Sequence, residues 1–148
     1  MFKVLKHRKK IDVTCAIIEQ GDLVLAAQRS ESMSLPLKWE FPGGKIEPQE
    51  NAVECLKREL AEELGIQIRI LATLASSDWA YQDFDITLHP FVCELYSGRI
   101  QLLEHKAITW LSLEKLPTLD WADADEPVLN SYLQYCQNHT DKCVLRNC

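Results

Sequence analysis

Apolar positions along the chain follow two rhythms. Ile11, Val13, Cys15 and Ile17 alternate through a dense apolar run, so Ile11–Ile18 reads as a strand. Gly21-Asp22 reads as a turn, and Leu23–Gln28 as the hairpin partner. Ser30–Lys38, polar and carrying Pro36, reads as a loop. From Asn51 the period lengthens. At roughly 100° per residue, Val53, Leu56, Leu60 and Leu64 fall on one helical stripe. Gln67–Ser76 alternates again and reads as a strand, and Ser77–Asp85 as a hairpin turn flanked by Trp79, Tyr81 and Phe84. Ile86–Tyr96 is the returning strand, where Pro90 predicts an edge position or a bulge. Gln101–Leu111 brings Glu104-His105 and then a short strand reaching Trp110. Ser112–Leu119, with Pro117, reads as a helical turn and loop. Val128, Leu129, Tyr132, Leu133 and Cys136 give a core face to a last helix over about Glu126–Gln137.

Strands interleaved with two helices predict an α/β protein. Neither a repeat nor a linker interrupts the 148 residues, so a single domain is expected, with its core over about residues 10–138. Lys3–Lys10 reads as a solvated basic lead-in, and 139–148 as a loose C-terminal tail.

The first helix has explicit ends. Asn51 is a good N-cap, with Glu54 three residues on as in a capping box. Gly65 suits the left-handed position that ends many helices.

Composition narrows the function. The apolar share of 47% and the charged share of 26% suit a soluble globular protein. A net charge of −6 argues against a non-specific nucleic-acid binder. Free nucleotides stay compatible, because a bound cation supplies local positive charge. No apolar run is long enough to span a membrane, and Met1–Lys10 precedes no cleavage pattern. The six cysteines form no CxxC pair, which predicts reduced thiols and a cytoplasmic protein.

The chemistry concentrates on the first helix. Glu59, Glu62 and Glu63 are spaced i, i+3, i+4 and share a face beside the apolar stripe. Three adjacent carboxylates raise one another's proton affinity, and a hard divalent cation reverses that penalty. Mg²⁺ suits such a set, taking a few protein oxygens and leaving waters and substrate phosphates for the rest; Mn²⁺ is an alternative. Arg58 can orient a carboxylate by a bidentate contact. Upstream, Gly43-Gly44 lets the backbone approach a metal or phosphate and offer a carbonyl oxygen. Phe41 could stack on a base or pack in the core. The bland alternative for the glutamates is a solvated acidic helix face.

Gly44–Ile66 reads GKIEPQENAVECLKRELAEELGI. It resembles the Nudix box, G-x5-E-x7-R-E-U-x-E-E-x-G-U with U aliphatic, at every specified position. The resemblance, to the MutT-like and CTP pyrophosphohydrolase-like branch of that family, implies an α/β/α sandwich. It implies metal-dependent hydrolysis of a nucleoside diphosphate linked to a further group. For a triphosphate the products would be a monophosphate and pyrophosphate. Glu59, Glu62 and Glu63 would then hold Mg²⁺ with Glu104 and a Gly43 or Gly44 carbonyl. Glu59 becomes a candidate base, Arg58 its neighbour in the catalytic set, and Glu50 and Gly65 structural members of the box.

The resemblance also places Arg29 where MutT-like enzymes hold a nucleotide-contacting arginine. Glu104 stands six residues before Trp110, the spacing of a further metal carboxylate in those enzymes. Ala124-Asp125-Glu126-Pro127 lines up with a base-reading run, although Asp125 is also a plausible N-cap of the last helix. Ionised Asp only accepts hydrogen bonds, so Asp125 should prefer a base edge that donates, such as the cytosine amine or guanine N1 and N2. The leading expectation is a nucleoside triphosphate pyrophosphohydrolase acting on cytidine triphosphates or oxidised dGTP, sanitising the nucleotide pool as a monomer or homodimer. The alternatives are a hydrolase of nucleotide sugars or dinucleoside polyphosphates, and a catalytically silent nucleotide-sensing or RNA-binding domain.

Overall fold

The computed structural model describes residues 8–139. Most of the basic lead-in, and the expected tail beyond residue 139, lie outside the described residues. The chain runs β1 (Lys9–Gln20), β2 (Leu23–Gln28), β3 (Trp39–Glu40), β4 (Gly43–Lys45), α1 (Ala52–Leu64), β5 (Gln67–Thr73), β6 (Ser77–Ala80), β7 (Phe84–Ser97), β8 (Ala107–Ser112) and α2 (Asp125–Asn138). A short 3₁₀ turn at Leu116–Thr118 lies between β8 and α2.

The sheet is mixed. β1 runs parallel to β7 along its length, from Lys9↔Phe84 to Glu19↔Glu94. On its other side β1 pairs with β2 only at Glu19↔Val24 and Gln20↔Leu23. The two strands then part. β4 fills the β1 side of the split, pairing at Val13, Thr14 and Cys15, while β3 fills the β2 side at Ala27 and Gln28. Between them the Ala16 N–H donates to the Pro42 carbonyl at 2.8 Å. The Trp39–Lys45 segment is thus wedged into the middle of the sheet.

Two-residue periodicity sends alternate side chains to opposite faces. Cys15, Ile17, Val24 and Ala26 pack on one face with Val128, Leu129 and Tyr132 of α2. Ala16, Ile18 and Leu25 pack on the other with Leu56, Leu60 and Leu64 of α1. This is the expected α/β/α sandwich. Val53, the fourth residue of the α1 stripe, is only half-buried.

Asn51 caps α1 by accepting from the Glu54 N–H at 2.8 Å. Glu54 answers the Asn51 side-chain amide rather than its backbone. Gly65 ends the helix with φ 68°, a conformation that costs glycine little.

Two expectations need correction. Ser77–Asp85 is not only a turn, because Ser77–Ala80 forms β6 and pairs with β7. Pro90 is not on an edge, because β7 lies between β1 and β5. Its missing N–H is tolerated where the partner changes: β5 ends its pairing at Phe91 and β6 begins at Leu88.

Candidate active site

One cavity of about 380 Å³ opens over the wedge between β1 and β2. Arg29, Phe41, Gly43, Gly44, Glu63, Glu104 and Asp125, all singled out from the sequence, line it. Glu59 borders it through Gly44: a Cβ on Gly44 would lie 2.2 Å from the Glu59 carboxyl carbon. Only glycine allows that approach. Gly43 is equally constrained, since a Cβ there would meet the Thr14 carbonyl oxygen at 2.0 Å. Glu62 does not line the cavity and is exposed on the helix surface.

Arg58 organises the acidic face. Its Nη2 donates to Glu50 Oε1 at 2.6 Å and its Nε to Glu50 Oε2 at 3.0 Å. Its Nη1 reaches Glu59 Oε1 at 2.9 Å and Glu62 Oε2 at 3.3 Å. The bidentate grip fastens the Gly44–Glu50 loop to the helix and holds the Glu50 carboxyl down at about 2.

Glu63 sits in the opposite environment. It is 6% exposed, and its Oε2 is buried without a hydrogen-bond partner. Burial, followed by the charges of Glu40, Glu59 and Glu104, pushes its carboxyl up to about 10. Burial also raises Glu59, against the pull of Arg58. These acids are held close with too little positive charge. That orphaned oxygen and hard-oxygen donor set fit a divalent cation. Among the described residues, no three His, Cys, Asp or Glu side chains stand close enough to form a finished metal cluster. Glu59 and Glu62 each place one oxygen on the Arg58 guanidinium.

At the other end of the cavity Asp125 is buried, at 7% exposure. It does not cap α2. The N-cap is Ala124 and Asp125 is the first helical residue. Its Oδ1 accepts the Phe41 backbone N–H at 3.0 Å. Burial, then the Glu40 charge, raises its carboxyl well above the usual range, against the Phe41 hydrogen bond. Backbone hydrogen bonds bring this segment alongside β3: Trp39 N–H to the Asp120 carbonyl at 2.9 Å, and Ala122 N–H to the Trp39 carbonyl at 2.8 Å.

The Phe41 ring is 3% exposed and packs on Trp121 with centroids 4.6 Å apart. It serves the core, so the base-stacking expectation moves elsewhere. Tyr81 and Phe84 line the same cavity with centroids 5.2 Å apart and are only half-buried. Sequence reasoning missed both, having treated them as flanks of a turn. It also left Glu40 without a role; Glu40 and His105 both line the cavity.

Arg29 is more engaged than expected. Its Nε donates to the Ser34 carbonyl at 2.6 Å, Nη2 to Ser34 Oγ at 3.0 Å and Nη1 to Glu40 at 2.6 Å. Cys15, Cys55 and Cys93 are buried thiols outside any disulfide. No helix of the described residues is long and apolar enough to cross a membrane.

A cavity framed by a glycine loop and a carboxylate helix suits chemistry on phosphoric anhydrides. The NUDIX domain family matches residues 8–132, and the chain belongs to it. The CTP pyrophosphohydrolase of Escherichia coli K12 is 38% identical over 125 residues, spanning 84% of this chain and 93% of that protein. The 8-oxo-dGTP diphosphatase of the same organism is 31% identical over 122 residues, spanning 82% and 95%. Among solved structures, the E. coli ORF135 protein superposes with a TM-score of 0.74 at 36% identity, covering 86% of this chain and 91% of that one.

Proposed function

We propose that the protein is a Mg²⁺-dependent pyrophosphohydrolase of cytidine triphosphates, releasing the monophosphate and pyrophosphate. The observation that carries the choice of base is Asp125. Its carboxyl is buried on the cavity wall with one oxygen committed to the Phe41 N–H, which leaves the second for a ligand. A buried carboxylate needs donors. The cytosine amine supplies one; uracil offers an acceptor at the same place. The 38% identity to a CTP pyrophosphohydrolase supports this reading. Oxidised dGTP is the second substrate to test, since guanine N1 and N2 also donate and a diphosphatase relative is 31% identical.

Glu59, Glu62, Glu63 and Glu104, with a Gly43 or Gly44 carbonyl, are the groups to hold Mg²⁺. When bound, Mg²⁺ offsets the charge that builds on the phosphoryl oxygens and acidifies a bound water. Glu59 is the candidate to accept the water's proton, because Arg58 orients one of its oxygens. Arg58 and Glu50 fix the loop against the helix, Tyr81 and Phe84 offer aromatic surface to the base, and Arg29 faces the cavity as a cationic contact. The net charge of −6 fits an enzyme of free nucleotides, and the cytoplasm is its proposed location.

The test is a pyrophosphate-release panel with Mg²⁺ over CTP, dCTP, UTP, dGTP, 8-oxo-dGTP, ADP-ribose and a diadenosine polyphosphate. The expected result is the highest kcat/KM on CTP or dCTP. Turnover of ADP-ribose or the dinucleotide alone would contradict the pocket assignment.

A further inference from the structure

A second set of side chains, Arg29, Glu40 and His105, lines the same cavity. Glu40 Oε1 accepts from Arg29 Nη1 at 2.6 Å, and Glu40 Oε2 lies 2.9 Å from His105 Nε2. The side chains are largely withdrawn from water, at 21% for Arg29, 14% for Glu40 and 1% for His105. They come from three separate segments: the end of β2, the wedge, and the loop before β8. Each segment carries a proposed substrate or metal group. Arg29 faces the cavity and also holds Ser34 of the neighbouring loop. His105 follows Glu104, and the next residue, Lys106, donates its N–H to the Gln28 carbonyl at 2.9 Å. Glu40 precedes Phe41, which is tied to Asp125.

A partly buried ion pair of this kind is weak as a source of stability, because desolvation offsets much of its attraction. It is strong as a register device. Charge-assisted hydrogen bonds are short and directional, and a carboxylate with one donor on each oxygen tolerates little movement.

We propose that Glu40 is a positioning residue: its carboxylate, bridged between Arg29 and His105, fixes the cavity guanidinium and the Glu104-bearing loop at a set separation across the nucleotide site. The role rests on the pyrophosphohydrolase reading above. Glu40 acts through its two partners and touches no reacting atom. Glutamine preserves the shape and one acceptor, and its amide can donate to an imidazole that has shifted its proton. Alanine removes both contacts.

The experiment is a double-mutant cycle on the full chain. Glu40→Ala, Arg29→Ala and the pair are compared on CTP with Mg²⁺, reading KM and kcat separately, with melting temperature as a folding control. Each single change should raise KM roughly tenfold, while the pair should be no more than about twofold worse than Arg29→Ala, since contacting residues do not add. Glu40→Gln should restore most of the KM. His105→Ala should reproduce the Glu40→Ala loss, and His105→Gln, whose amide nitrogen can reach the same oxygen, should restore it. Affinity for the product CMP, measured by calorimetry without metal, should follow KM. Should Glu40→Ala fail to fold, the same cycle is run with Glu40→Asp, whose shorter arm cannot span both partners. Losses that multiply to about a hundredfold in the pair would overturn the role. A wild-type KM in Glu40→Ala, or a silent His105→Ala, would also overturn it. A wild type inactive on every triphosphate overturns the functional reading with it, whereas an active wild type with multiplied losses overturns only the positioning role.

Discussion

Glu63→Gln should stabilise the metal-free protein at neutral pH and remove its response to Mg²⁺. Glu63 is 6% exposed with an unpartnered oxygen, and its carboxyl is raised above neutrality, first by burial and then by Glu40, Glu59 and Glu104. At pH 7 the unfolded chain holds Glu63 ionised, whereas the metal-free fold must protonate it. For a group raised in this way, the stability contribution is fully present below the unfolded value, about 4.5, and is lost as pH rises toward the folded one. Between 4.5 and 7 that amounts to about 3 kcal/mol at 1.36 kcal/mol per pH unit. Sharing of the proton with Glu59 reduces the gain to roughly 1–3 kcal/mol. Glutamine is neutral in both states and its amide can donate to Glu59. In EDTA at pH 7 the variant should therefore melt several degrees above wild type, at roughly 2–4 °C per kcal/mol for a chain of this size. The difference should close as pH falls to about 4.5. With millimolar Mg²⁺ the wild type should gain and the variant should not, because ligands stabilise only the state that binds them. The assay is thermal unfolding across pH with EDTA or Mg²⁺. A variant that melts below wild type in EDTA and still gains fully with Mg²⁺ would refute the reasoning.

Other outcomes follow from the same geometry. Glu62→Gln changes a surface residue, so melting should move by less than about 2 °C while turnover falls at least about a hundredfold; near-normal turnover would remove Glu62 from the metal set. Gly44→Ala places a methyl against the Glu59 carboxyl and should cut kcat about a hundredfold by displacing it, read against an unchanged circular-dichroism spectrum. Asp125→Asn should re-rank bases, narrowing the CTP to UTP preference in kcat/KM more than it lowers the better rate. In the wild type that preference should grow as pH rises, because Asp125 has a raised carboxyl and accepts from the cytosine amine only once ionised; a ratio flat in pH with an unchanged ranking in the variant would remove Asp125 from base recognition.

The sequence made the carboxylate helix readable because its determinants are local. A cap, a stripe, a triplet at one spacing and a terminal glycine all lie within Asn51–Gly65. The sandwich was implied by the resemblance of Gly44–Ile66 to the Nudix box, and the unbroken apolar run Cys15–Ile18, buried on both faces of the sheet, agrees with it. What escaped depends on contacts far apart in the chain. Asp125 resembles an N-cap by position, yet its partner is Phe41, 84 residues away. The Glu40–His105 contact spans 65 residues, and no periodicity announces it. Tyr81 and Phe84 read as turn residues because β6 is only four residues long. The ring of Phe41 belongs to the core because Trp121 reaches it from the last loop.

The most direct test of the central claim is the identity of the products. CTP should be incubated with the wild type and Mg²⁺ in ¹⁸O-labelled water and followed by ³¹P NMR. The account predicts CMP and pyrophosphate in equal amounts, the label on one of them, and no turnover in EDTA. CDP with inorganic phosphate, or hydrolysis that persists without a divalent ion, would contradict it.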